Sequence, residues 1–117
     1  MNRFKDLKVW QEAIELSVEV YALCKSLPNE EKFGLISQLQ RASVSVSANI
    51  AEGAGRNNKG EFYQFIGIAI GSLSEVESLM VLTVRLGYIK EKESELIEAR
   101  VLKIQNMLYK LKVSIKK

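Results

Sequence analysis

At 117 residues the chain reads as one domain, 1–117, and its 47% of hydrophobic residues is enough to bury a core. A single proline and seven glycines exclude an all-β chain, which needs frequent turn residues. The lack of histidine excludes His-based acid–base catalysis and His metal sites, and a net charge of +3 is by itself too small to mark a nucleic-acid binder.

The opening "MNRFKDLKVW" has no apolar signal core. The longest apolar run, Phe65–Gly71, falls far short of the roughly 20 residues that span a bilayer. A soluble, cytoplasmic protein with no membrane partner is therefore expected.

The first helical segment is expected over about 7–26. Val9, Ala13, Leu16, Val20, Leu23 and Leu27 alternate spacings of four and three, which is an a/d seam. Asp6 is the candidate N-cap, and Pro28 ends the segment because the residue before proline avoids the helical region. Glu12, Glu15 and Glu19 lie off the seam. Cys24, the sole cysteine, excludes an internal disulfide and reads as a packed thiol.

The second segment is expected over about 30–55, capped by Asn29, with Glu30 and Glu31 at the positive end of its dipole. Its seam is Leu35, Leu39, Ala42, Val46, Ile50 and Gly53. The alternation Ser43–Ser47 imitates a strand, but the helical period accounts for a far longer stretch. Gln38, Arg41, Ser45, Asn49, Glu52 and Arg56 form a polar line within an arc of about 80°. Two readings are open for it. It is either a solvated face or a partly buried network that sets helix register, with Glu75 as a counter-charge for Arg41 or Arg56.

The third segment, about 59–86, opens on Asn58 and Glu61, spaced as a capping box, and closes on Gly87 in a left-handed C′ position. Its seam is Phe62, Ile66, Ala69, Leu73, Val76 and Met80. Gly67 and Gly71 each cost about 1 kcal/mol relative to alanine. Close approach to the small residues of the second segment, within one chain or between copies, is the expected return. The fourth segment, about 91–115, repeats the rhythm at Ile97, Val101, Ile104, Leu108, Leu111 and Ile115.

Four amphipathic segments on short loops predict an all-α, antiparallel up-down-up-down four-helix bundle. Trp10, Ile14, Tyr21, Phe65, Ile70 and Met107 lie off the seams. They either widen the core or leave an apolar patch for another copy.

After Glu98 no acid remains, while Arg100, Lys103, Lys110, Lys112, Lys116 and Lys117 are basic. These six are the candidate nucleic-acid-binding residues. The competing reading is that they complement the helix C-terminus and keep the surface soluble. Tyr109 is the one aromatic among them, so base-specific readout is not expected. Glu52, Glu75 and Glu77 lack the histidine that bundle metal sites use, so no metal, cofactor or catalytic residue is expected.

The stretches Phe4–Tyr21, Leu27–Arg56 (above all "SQLQRASVSVSANIAEGAGR"), Glu61–Ser78 and Leu86–Ile89 resemble a bacterial family, the 23S rRNA-intervening sequence proteins. The family's usual form has Arg and Pro where this chain has Gln40 and Ser47. The resemblance implies a four-helix bundle that assembles as a ring, typically a homopentamer. It further implies similarity to the accessory variability determinants of diversity-generating retroelements. It implies no catalytic residues. The expected function is thus a non-enzymatic homo-oligomer that binds RNA or DNA. The alternative is a scaffold for a protein partner such as a reverse transcriptase.

Overall fold

The computed structural model describes residues 3–116. Four helices form where the four apolar rhythms run: α1 (Lys8–Cys24), α2 (Leu35–Ala54), α3 (Lys59–Arg85) and α4 (Glu91–Lys116). Two single 3-10 turns, Phe4–Asp6 and Asn29–Glu31, precede α1 and α2, and no strand occurs among the described residues. The bundle measures 45 × 23 × 20 Å. α2 packs most extensively against α3, and each helix touches two others.

One apolar core joins all four helices, and the seams supply it. Leu16, Leu39, Val46, Ile50, Ile66, Leu73, Met80, Ile104 and Leu108 are fully enclosed. Of the off-seam residues, Trp10, Ile70 and Met107 widen the core from half-buried positions, while Tyr21 is exposed. Cys24 is a buried free thiol whose ionisation burial pushes upward.

Contacts between α2 and α3 run in opposite directions along the two helices. Gly53 meets Phe62 and Phe65, while Ser45 meets Ser72. Between α3 and α4, Lys59 shares a cleft with Lys116, and Tyr63 lies under Lys112. α3 is long and apolar enough to cross a membrane by length and composition alone. Its stripe from Ile66 to Thr83 is buried in the bundle core.

The helix ends correct two sequence expectations. Asp6 does not cap α1: Leu7 holds that position without a side-chain bond, and Asp6 lies beside Arg3 at 3.7 Å. Asn29 does not cap α2, which starts at Leu35 rather than near residue 30. The Glu31 carboxylate instead accepts from the Leu35 amide at 3.1 Å and from the Tyr88 hydroxyl at 2.8 Å. Tyr88 sits in the α3–α4 turn, so the start of α2 is fixed by a residue remote in sequence.

The other ends follow their local signals. Asn58 Oδ1 accepts from the Glu61 amide at 3.0 Å. Gly87 has φ +82°, with Gly87 N–H donating to Val84 O and Tyr88 N–H to Thr83 O, a Schellman pattern. Glu93 reaches back to accept from the Lys90 amide at 2.8 Å, the carboxylate half of a capping box for α4.

Gly67 and Gly71 do not face α2. A Cβ on Gly71 would meet nothing within 4 Å, and one on Gly67 would meet only the Lys112 ammonium, at 3.8 Å. The tight α2–α3 approach rests instead on Gly53, where a Cβ would stand 2.7 Å from Phe65 Cβ.

Candidate nucleic-acid interface

The basic residues of α4 divide into two groups according to what they touch. Glu12 and Glu19 are two turns apart on α1 and share a face, and Arg100 and Lys103 one turn apart on α4 face them. Arg100 grips Glu19 with two bonds, Nε to Oε1 at 2.9 Å and Nη2 to Oε2 at 3.1 Å. Its Nη1 donates to Glu12 Oε1, and Lys103 Nζ donates to Glu12 Oε2 at 3.0 Å. The side chains of Arg100, Glu12 and Glu19 are largely sheltered, while Lys103 is more open. The Lys103 hydrogen bond, aided by Arg100, lowers the Glu12 pKa against the opposing effect of burial. The Glu19 hydrogen bond chiefly raises that of Arg100. Both cations are therefore occupied in holding α4 to α1.

Lys110, Lys112 and Lys116 form the second group; Lys117 lies outside the described residues. Two adjoining clefts lie between this end of α4 and the start of α3. One, of about 330 Å³, is lined by Lys59, Gly60, Tyr63, Ile115 and Lys116. The other, of about 260 Å³, is lined by Tyr63, Tyr109, Lys112, Val113 and Lys116. The Lys112 ammonium stands 4.7 Å from the centre of the Tyr63 ring, a cation–π contact. Lys110 projects into solvent. Among the described residues, no carboxylate lies within ion-pairing distance of Lys59, Lys110, Lys112 or Lys116.

Lys59 and Tyr63 are absent from the sequence-based candidates. Lys59, Tyr63 and Gly67 recur every four residues, so the sequence does carry a line of one face. Which α4 residues it meets is set by tertiary packing.

The polar line of α2 separates into three parts. Asn49 Nδ2 donates to Ser45 O at 2.8 Å and to Ser45 Oγ at 2.9 Å, and Ser45 Oγ lies 2.9 Å from Ser72 Oγ on α3. This half-buried trio is the interhelical network. At the C-terminal end, Arg56 pairs with Glu52 at 2.8 Å, approaches Glu61 at 3.9 Å and covers the Phe65 ring at 5.1 Å. Gln38 and Arg41 face solvent. Glu75 is also exposed and forms no ion pair with Arg41 or Arg56, so the expected counter-charge role is not found.

Among the described residues, no three of His, Cys, Asp and Glu converge as a metal site would require. Glu52, Glu75 and Glu77 are separately exposed.

The chain is similar to a crystal structure from Bacteroides thetaiotaomicron, a protein of unknown function from the S23 ribosomal protein family. The two share 29% identity with a TM-score of 0.81, over 88% of this chain and 96% of the other. No curated protein matches the chain. The profile of the 23S rRNA-intervening sequence protein family matches residues 5–110, which take in α1, α2, α3 and α4 as far as Lys110 but not Lys112 or Lys116, and the chain belongs to that family.

Proposed function

We propose that the chain is an RNA-binding accessory protein without catalytic activity: an up-down-up-down bundle that works in the cytoplasm as a ring-shaped homo-oligomer, a pentamer by family resemblance. The observation that carries RNA binding is the lysine set at the meeting of α3 and α4. Lys59, Lys110, Lys112 and Lys116 lack carboxylate partners among the described residues, whereas Arg100 and Lys103 have them. Unneutralised lysines suit phosphates, and repetition around a ring would multiply the charge. The opposite-running contacts of α2 with α3 and of α3 with α4 support the up-down path. Self-association is supported by uncovered apolar side chains, among them Val18, Ile68, Leu82, Leu86 and Leu102.

The test is binding of structured RNA at about 50 mM salt, with affinity expected to fall steeply as salt rises. No binding at that salt would end the proposal. Light scattering tests the assembly, and a monomer mass would end the ring. A second reading, a scaffold for a protein partner, draws on Phe33, which is 90% exposed in the α1–α2 connection. Specific capture of one polypeptide that is lost with Phe33→Ser, by protein that binds no RNA, would favour it.

A further inference from the structure

We infer that the paired clefts around Tyr63 bind single-stranded nucleic acid, with bases stacked on Tyr63 and Tyr109 and phosphates held by Lys59, Lys112 and Lys116. This inference rests on the nucleic-acid reading above and specifies the form of strand that the site accepts.

Binding to the phosphates of a duplex requires only positive charge. Here two aromatic rings stand among the lysines. Tyr109 is 53% exposed and belongs to no core contact, and Tyr63 borders both clefts. An aromatic ring beside an unneutralised ammonium is the pairing that single-strand binders use, because a splayed strand offers flat base faces and phosphates together. A duplex hides those faces within its own stack.

The clefts fit this occupant in size and spacing. At about 330 and 260 Å³ they lie near the lower end of small-ligand sites, suited to one flat ring each. They share Tyr63 and Lys116, so successive bases can enter side by side while a common lysine serves the phosphate between them. Lys112 lies over the Tyr63 ring. An arriving phosphate draws this ammonium away and leaves the ring face to a base. Gly67, one turn beyond Tyr63, lies beside the same ammonium: a Cβ there would stand 3.8 Å from Lys112 Nζ, an ordinary contact distance.

The experiment measures binding of single-stranded oligo(U), single-stranded oligo(dT) and an RNA duplex of equal length, by fluorescence anisotropy at about 50 and 200 mM salt. Single strands are expected to bind roughly tenfold or more tightly than the duplex. Tyr63→Leu and Tyr109→Leu should each weaken single-strand binding roughly tenfold and leave duplex binding unchanged. Tyr63→Phe, which keeps the ring, should retain single-strand affinity. A stronger response with oligo(U) than with oligo(dT) assigns the site to RNA, and equal responses assign it to bases and phosphates alone. Tyr109 is exposed, so its leucine variant reports even if the Tyr63 variant loses structure. If the protein binds nucleic acid but the tyrosine variants match wild type on single strands, the stacking site is overturned and the electrostatic reading stands. If it binds none of the three, both fall.

Discussion

Gly53 of α2 lies so close to Phe65 of α3 that a Cβ on the glycine would stand 2.7 Å from Phe65 Cβ. That carbon is fixed by the α3 backbone, so the helices themselves must part to admit a methyl group. Phe62 Cδ1, at 2.9 Å, can swing aside more readily. Overpacking of this kind costs about 1–3 kcal/mol, against about 1 kcal/mol of improved helix propensity. Gly53→Ala is therefore expected to lower the urea midpoint at unchanged m. A midpoint at or above wild type would show that the close approach carries no constraint.

Gly71 gives the opposite expectation. A Cβ there meets nothing within 4 Å, and the residue is exposed. Gly71→Ala should stabilise the isolated chain by up to about 1 kcal/mol, read as a higher urea midpoint. If copies pack across this face, Gly71→Arg should reduce the assembled mass in light scattering while circular dichroism stays helical.

These two glycines show what the sequence reveals and what it conceals. Seam residues such as Leu39, Val46, Ile66 and Ile104 are legible because helical period alone assigns them inward. The period also exposes the cost of an interior glycine, but not which neighbour its face will meet. Gly53 is both a seam position and one of the small residues that the sequence offers for close approach to α3, but its particular contact with Phe65 requires the α2–α3 register. The start of α2 at Leu35 is hidden from local sequence for a similar reason. Asn29 is a good local cap, but Glu31 is held by Tyr88 from the α3–α4 turn, remote in sequence. The candidate site was half legible. The lysines of α4 are plain in sequence, but their division into Arg100 and Lys103, paired with α1, and Lys112 and Lys116, set among tyrosines, depends on contacts between distant segments.

The Glu12–Arg100–Glu19 cluster sets a pH dependence. Glu12 titrates below its ordinary value in the folded chain, chiefly because Lys103 donates to it, with Arg100 also contributing. Its contribution is therefore full above the ordinary carboxylate pKa and is lost as pH falls through the lowered folded value. Glu12→Gln should cost about 1 kcal/mol near pH 7 and nothing once both states are protonated. Urea unfolding of both proteins from neutral to acid pH checks this. A difference that persists in acid would point to lost packing instead of charge.

The two basic groups of α4 should separate in binding assays. Lys103→Gln removes a cation already engaged by Glu12 and is expected to leave RNA affinity within about twofold of wild type. Lys112→Gln removes one without a carboxylate partner and should lower the slope of log affinity against log salt by about one. Equal effects from the two variants would contradict the division.

The helix α4 is in effect two modules written on one rod. Its first half latches the bundle through Arg100, and its last turns carry charge that no carboxylate among the described residues pairs with. The two can therefore diverge independently. Rewriting the terminal lysines as neutral or acidic residues would change or invert what the molecule attracts, with the latch and the core left as they are. Within one fold, relatives could thus differ entirely in what they meet.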